Sequence, residues 1–164
     1  MKDILNKLSS YHLFNNFFPG ILFGTFIERL FNISITDENF IFAFFLYYFI
    51  GMIISRIGSL VIEPTIKLAI KWKDGTRYVR AEKLDPKIQI LLQDLNTYRT
   101  ITAMGLLAVL AIIVKQTAQT PLGLTSFWIA ISASTFITIL FAISYYKQTK
   151  YITNRINSVL RKDK

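Results

Sequence analysis

A strongly apolar stretch runs from Phe40 to Trp72, with the sequence FIFAFFLYYFIGMIISRIGSLVIEPTIKLAIKW. Its first half has no charged residue, and its second half contains Arg56 and Glu63. A helix needs about 20 mostly apolar residues to cross a hydrocarbon layer about 30 Å thick. At 1.5 Å per residue, Arg56 lies roughly 24 Å from Phe40 and Glu63 roughly 35 Å. A charge at such a depth is costly unless it reaches the interface, pairs or faces a polar interior. The stretch predicts an integral membrane protein.

The composition agrees with this prediction. Hydrophobic residues make up 52% of the 164 residues, and they fall in blocks of membrane-spanning length. The 19 basic and 10 acidic residues give a formal net charge of +9. In a soluble protein this excess would suggest nucleic-acid binding. Here the basic residues flank the apolar blocks, where they orient the chain and attract anionic lipid, so we expect membrane lipids and not nucleic acid as partners.

The alternation of apolar and polar blocks predicts an all-α fold, an integral membrane four-helix bundle with cytosolic helical extensions. We divide the chain into an interfacial N-terminal helix (1–16), the first and second transmembrane helices (17–70), a basic cytosolic segment (71–99), the third and fourth transmembrane helices (100–144) and a basic cytosolic tail (145–164). Asp85 and Pro86 read as an N-cap and a first helical residue. The helix that they begin is expected to continue into the third span.

The basic residues also predict the orientation. The 71–99 segment carries seven Lys and Arg residues, the tail six and the N-terminal segment two, whereas Lys115 is the one basic residue of the outer loops. Positively charged segments stay in the cytoplasm. We therefore expect a multi-pass protein of the bacterial inner membrane with both termini in the cytoplasm.

Small residues recur at four-residue spacing within the apolar blocks. Such rows let neighbouring helices approach closely. The helix-packing candidates are Gly20, Gly24, Gly51, Ser55, Gly58, Ser59 and Ser134. These rows offer more close-packed faces than four helices need internally, which favours a closed homo-oligomer.

The sequence gives little support to catalysis. It has no cysteine and one histidine, His12, and it lacks a nucleophile elbow, a Gly-rich phosphate loop and a zinc-protease motif. We expect no enzymatic activity, no cofactor and no metal site. A secondary transporter is also disfavoured, because Pro19 and Pro64 have no counterparts inside the later spans.

Three charged residues are candidates for pore lining or gating: Arg56, Glu63 and Glu28. Arg56 either reaches the inner interface as a structural residue or lines an anion-friendly constriction in an oligomer. Arg56 and Glu63 are seven residues apart, too far for a direct bond without bending. Glu63 and Lys67, at i and i+4, are better placed to pair. Glu28 marks the outer end of the first span.

The basic cytosolic surface has three explanations: topology alone, contact with anionic lipid, or a site for an anionic ligand or a cytosolic protein. The candidate partner- or ligand-binding residues are Arg77, Arg80, Lys87, Leu91, Leu92, Tyr98 and Arg99. The apolar stripe that includes Leu91 and Leu92 must be buried against the tail helix, the membrane or another protein.

The residues from Ile54 to Leu60, Glu63-Pro64, Pro19-Gly20 and Asn96 to Arg99-Thr100 resemble those of small four-span bacterial membrane proteins from anti-phage defence loci. This resemblance implies a role in perturbing or monitoring the inner membrane, with a trigger or partner from the cytosol. Two hypotheses follow. The first is an oligomeric membrane effector or channel-like component that opens a leak. The second is a non-conducting membrane anchor or sensor that recruits a cytosolic partner protein.

Overall fold

The computed structural model describes residues 2–34, 40–70, 75–118 and 123–162, with side chains for 15–34, 40–70, 77–117 and 123–161. The predicted outer loops fall partly outside these ranges, at 35–39 and 119–122, and so do the side chains of the interfacial segment 1–14. Lys115, expected in the second outer loop, is helical instead. In the described part the chain is helical without strands, so the all-α prediction is confirmed. The elements are α1 (Lys2–Phe31), α2 (Phe40–Ile57), a π-helical turn (Gly58–Ile62), α3 (Glu63–Ile70), α4 (Gly75–Leu84), α5 (Lys87–Ala118) and α6 (Leu124–Lys162).

Three helical stretches in the described ranges are long and apolar enough to cross a membrane: Phe40–Ile70, Lys87–Thr117 and Leu124–Arg161. These correspond to the expected second, third and fourth spans. The expected first span, within α1, does not meet the same criterion. Asn15, Asn16, Glu28 and Arg29 dilute its apolar character. The structure thus carries three candidate spans.

Helix α1 is a single helix where the sequence predicted an interfacial helix followed by a separate span. It continues through Pro19, whose missing N–H leaves the carbonyl of Asn15 without its helical partner. Asn32 ends the helix with a positive φ of 52°, a conformation that Asn tolerates better than most residues. The N–H of Ile33 then donates to the carbonyl of Glu28 at 3.1 Å.

The π-helical turn directly precedes Pro64 and joins α2 to α3. The N–H of Glu63 donates to the carbonyl of Gly58, five residues earlier. A proline ring clashes with the carbonyl four residues before it in an α-helix, here that of Leu60, and the wider π-turn relieves this crowding. The extra residue in the turn also shifts Glu63 around the helix axis relative to Arg56.

Helices α1 and α2 form a close hairpin whose contact depends on glycine. A Cβ atom on Gly20 would collide with the carbonyl oxygen of Tyr47, and one on Gly51 with the carbonyl oxygen of Asn16. A Cβ on Gly24 would meet the ring of Tyr47 at 2.5 Å. Backbone therefore lies against backbone on both helices, the arrangement that small-residue rows permit in membranes.

Helices α5 and α6 form a second hairpin that extends beyond the apolar blocks. Gly105 on α5 lies against Thr138 of α6, four residues after Ser134, whose carbonyl accepts a hydrogen bond from the Thr138 hydroxyl at 2.7 Å. The rest of the α6 apolar surface is open: Trp128 is 62% exposed and Phe136 66%. Helix α1 lies against α5 and so joins the two hairpins.

The extensions of α5 and α6 enclose a second core together with α4. We call it the extension core: its buried members are Ala81, Ile88, Leu95, Tyr145, Ile152 and Ile156, and Leu91, Leu92 and Tyr98 are among the half-buried side chains packed against them. The apolar stripe of α5 is therefore covered by the tail helix, one of the three occupants that the sequence allowed.

Asp85 ties the α4–α5 turn of this core to the tail. The N–H of Lys87 donates to Asp85 Oδ1 at 3.1 Å, which is the N-cap that the sequence predicted. Arg155 Nε donates to Asp85 Oδ2 at 2.7 Å. One carboxylate thus caps α5 and anchors α6.

The charge on Asp85 gives the extension core a pH-dependent stability. The hydrogen bond from Arg155 holds the pKa of the Asp85 carboxyl below its usual value of 3.8. Because the pKa is lower in the folded chain, this stabilisation is complete above the unfolded pKa and is lost as the pH falls through the folded pKa. We expect Asp85→Asn, which can still cap the helix, to lower the thermal midpoint of the detergent-solubilised protein at neutral pH. Below the folded pKa the variant and the wild type should converge, and equal midpoints at neutral pH would contradict the assignment.

Candidate functional site

A polar cavity of about 210 Å³ lies between the two hairpins, where α1, α2, the π-helical turn and α5 meet. We refer to it as the inner cavity. Its lining is almost wholly polar or charged and consists of Asn15, Asn16, Met52, Ser55, Arg56, Ser59, Asn96 and Arg99. In an otherwise apolar bundle, a cluster of this kind is a functional-site candidate.

The packing of α1 on α5 sets the level of the inner cavity in the bundle. Asn15 and Arg99 line the cavity at one end of this contact. At the other end the Lys115 Nζ lies 5.5 Å from the centre of the Phe31 ring. The two helices therefore run side by side over the same length, roughly 24 Å on each. The cavity lies at the end of this contact that is nearer to the extension core, on the N-terminal side of α5.

An ion-pair network borders the inner cavity. Glu63 pairs with Arg99 on α5 and with Lys67 at 2.5 Å, and it accepts a hydrogen bond from the Ser59 hydroxyl at 3.2 Å. The side chains of Arg99 and Glu63 are 14% and 21% exposed, whereas that of Lys67 is 44% exposed. The Arg99–Glu63 pair is thus shielded from water and fastens the start of α3 to α5.

Several polar groups of the inner cavity lack partners among the described residues. The Asn15 side chain is buried, with 5% of the residue exposed, and its Oδ1 accepts no hydrogen bond. The buried Nε of Arg99 donates none. No described side chain or carbonyl accepts a hydrogen bond from Arg56, which is an exposed residue. The two buried groups, Asn15 Oδ1 and Arg99 Nε, cost free energy while they are unpaired.

The local charge is positive. The described charged side chains of the cavity and its network are Arg56, Arg99, Lys67 and Glu63, an excess of two positive charges. The cavity therefore favours an anion over a cation or a neutral apolar ligand. In the described residues no group of three metal-ligating side chains occurs.

The structure separates the three pore or gating candidates. Arg56 lines the inner cavity and Glu63 borders it, but Glu63 is paired with Arg99 and with Lys67, the partner that the i, i+4 spacing predicted. Glu28 lies toward the other end of α1, where it accepts a hydrogen bond from the Tyr47 hydroxyl at 3.2 Å. Glu28 and Arg56 lie toward opposite ends of the helices, so they do not form one pore or gating site.

The candidate partner-binding residues also divide by location. Arg77, Arg80 and Lys87 are exposed on the extension core, and Arg77 donates to Asn157 Oδ1 at 3.0 Å. Arg99 belongs to the inner cavity. Leu91, Leu92 and Tyr98 pack within the extension core, and the Tyr98 ring lies 6.0 Å from that of Phe141.

The remaining small residues lie beside the inner cavity. Ser55 and Ser59 line it, and the Thr100 hydroxyl donates to that of Ser55 at 3.4 Å. A Cβ on Gly58 would lie 3.2 Å from the carbonyl oxygen of Arg99, so α5 approaches the π-helical turn closely. The small-residue row of α2 thus brings α5 near enough for Arg99 to reach Glu63.

Asn15 and Asn16 of the inner cavity were not named as candidates from the sequence, and Asn96 entered only as part of the resemblance. The available signal was the Asn15-Asn16 pair directly before an apolar block, four residues upstream of a proline. Chemically, the assembled cavity offers two guanidinium groups, amides and hydroxyls in a partly dehydrated setting. Comparison of the chain with protein-family models, with curated proteins and with solved structures finds no match.

Proposed function

We propose that this chain is a four-span protein of the bacterial inner membrane, with both termini in the cytoplasm, that acts as a homo-oligomeric membrane effector triggered from the cytosol. The side-by-side course of α1 and α5 supports α1 as an additional span, because residues 15–31 then lie at the same depth as the candidate span in α5. The basic tail and the exposed basic residues of the extension core support the proposed orientation, with both on the cytoplasmic side.

The observation that carries the proposal is the inner cavity. Ionisable side chains among membrane helices are expensive and mark sites of ligand, ion or proton interaction. Arg56 is an exposed residue of the cavity lining, close in sequence to the π-helical turn at Gly58–Ile62. A π-turn is a common site of local adjustment at functional positions. A change of state at the cavity can therefore be passed to both hairpins.

Open apolar faces support self-association. Phe45 on α2 and Phe136 on α6 are 64% and 66% exposed. Both lipid and a second copy can cover such faces. Since the chain has no cysteine, Phe136→Cys and Phe45→Cys each introduce a single thiol for crosslinking in membranes. We expect at least one of them to yield disulfide-linked dimers. Failure of both variants to form a crosslink would argue against the oligomer.

The effector hypothesis predicts a loss of membrane depolarisation on removal of Arg56. In cells that express the chain with its trigger, a potential-sensitive dye should report depolarisation by the wild type. We expect Arg56→Ala to abolish most of it without reducing the amount inserted in the membrane. Arg161→Ala, which removes the same charge from the exposed end of α6, should behave as wild type. Full activity of Arg56→Ala would remove the residue from the mechanism.

The second candidate is a non-conducting anchor or sensor that recruits a cytosolic protein. This function is favoured by three exposed basic residues on the extension core: Arg77, Arg80 and Lys87. Substitution of these three by Gln is the suitable test, because Leu91 and Leu92 contribute to packing and their replacement would disturb the fold. Loss of co-purifying protein with no depolarisation by the wild type would favour this candidate over the effector.

A further inference from the structure

We propose that the inner cavity binds a phosphate ester through Arg56 and Arg99. The inference rests on the proposed function only in treating this cavity as the responsive part of the protein. Guanidinium groups match phosphate oxygens geometrically and form short, charge-assisted hydrogen bonds with them. Two arginines from different helices, α2 and α5, converge on one cavity here.

The two arginines have unused donors. Arg99 gives one guanidinium nitrogen to Glu63, while its Nε is buried without an acceptor among the described residues. Arg56 has no acceptor in the described part of the chain. An anion in the cavity would satisfy both and would balance the positive excess that Glu63 leaves.

Asn15 indicates that the ligand carries more than a bare phosphate. Its Oδ1 is a buried acceptor without a donor among the described residues. This oxygen needs a donor, such as a hydroxyl or ammonium group beside the phosphate. Glycerol and ethanolamine esters supply such a donor, whereas inorganic phosphate offers only its own P–OH groups.

The size and surroundings of the inner cavity fit a headgroup. A volume of about 210 Å³ has room for several waters and therefore for a small polar headgroup. On the open side of α2, Arg56 follows Phe49 and Ile53 at helical spacing, and these side chains are 55% and 46% exposed. Acyl chains can lie along this stripe while the phosphate enters the cavity. A soluble phosphate ester would have to enter from the cytosolic end.

Calorimetric titration of the purified full-length protein in neutral detergent tests the proposal with three probes. These are short-chain phosphatidylglycerol, short-chain phosphatidylcholine and glycerol 3-phosphate. We expect phosphatidylglycerol to bind at least tenfold more tightly than phosphatidylcholine, whose headgroup has no donor and no net charge. If glycerol 3-phosphate binds as tightly as phosphatidylglycerol, the source is a soluble ester. If it binds much more weakly, the source is the lipid.

Variants of the chain distinguish binding in the inner cavity from nonspecific attraction by the positive charge of the protein. Arg56→Gln should weaken binding of the preferred probe roughly tenfold, the effect of losing one charge-assisted contact. Asn15→Ala should weaken it as well, and Arg161→Gln should not. Circular dichroism and size-exclusion profiles identify any variant that has lost its fold.

The proposal is overturned if no probe binds better than phosphatidylcholine, or if both cavity variants bind like Arg161→Gln. A protein that binds but does not depolarise cells refutes only the effector function, and one that depolarises without binding refutes only this proposal.

Discussion

Substitution of Gly51 by Ala is expected to destabilise the α1–α2 hairpin by about 2 kcal/mol or more, although alanine is the better helix former. The added Cβ would collide with the carbonyl oxygen of Asn16. Backbone cannot rotate away as a side chain can, so the two helices must separate. The loss of close packing then exceeds the roughly 1 kcal/mol that alanine contributes through helix propensity.

A series of glycine variants makes the sign of this effect informative. Gly20→Ala would also strike backbone, at Tyr47, and should resemble Gly51→Ala. Gly24→Ala meets the Tyr47 ring, which can shift at the expense of its hydrogen bond to Glu28, so an intermediate loss is expected. Gly123→Ala adds the same methyl where no atom lies within 4 Å and should change stability by less than about 1 kcal/mol.

Unfolding in mixed micelles by titration with a denaturing detergent, followed by circular dichroism, measures these differences. A Gly51→Ala protein that is as stable as the wild type, or more stable, would mean that α1 and α2 do not approach so closely. The same substitution should also impair the inner cavity, because Asn15 and Asn16 belong to one side of this contact and Ser55 to the other. Reduced ligand binding by Gly51→Ala, with Gly123→Ala unaffected, is the expected companion result.

Local patterns in the sequence predicted the features that depend on local physics. Apolar blocks predicted helices at Phe40–Ile57 and within α5 and α6. The Asp85-Pro86 pair predicted the start of α5, and the hydrogen bond from Lys87 to Asp85 is the expected cap. Small residues spaced by four predicted close helix contacts, and Gly20 and Gly51 occupy the tightest part of the α1–α2 interface. These are short-range signals of periodicity, capping and size.

The inner cavity was beyond such patterns, because its groups meet only through tertiary packing. Asn15 and Arg99 are far apart in the chain and come together since α1 lies against α5. The sequence identified Lys67 as a partner of Glu63, but the more buried partner is Arg99. Local rules allow Pro19 either to begin a helix or to lie inside one. Helix α1 continues through Pro19, and its packing on α2 and α5 supports the continuous helix.

Removal of the Glu63 carboxylate is the second change with a large expected effect. Glu63→Gln takes the counter-charge from Arg99, whose side chain is only 14% exposed and whose Nε already lacks a partner. Breaking a fully buried pair in this way costs about 3–5 kcal/mol. Partial exposure of both side chains reduces this, so we expect a loss of about 2 kcal/mol in the free energy of unfolding.

Two controls isolate the pair from the rest of the network. Lys67→Gln removes the partner that is 44% exposed and should cost no more than about 0.5 kcal/mol. The double variant Glu63→Gln with Arg99→Gln removes the buried charge of Arg99 together with its counter-charge, so it should be more stable than Glu63→Gln alone. A double-mutant cycle in the same micelle titration gives the coupling energy. Additive effects of the two substitutions would show that Glu63 and Arg99 do not interact.

Ligand binding should move in the opposite direction from stability. In Glu63→Gln the whole Arg99 guanidinium becomes available, and the excess of positive charge at the inner cavity increases. Phosphatidylglycerol should therefore bind this variant more tightly than it binds the wild type, and its addition should recover part of the lost stability by mass action. Lys67→Gln should show neither effect, since Lys67 is not part of the cavity lining. If Glu63→Gln is destabilised and phosphatidylglycerol recovers none of the loss, Arg99 holds α3 against α5 as a structural residue and has no part in anion binding.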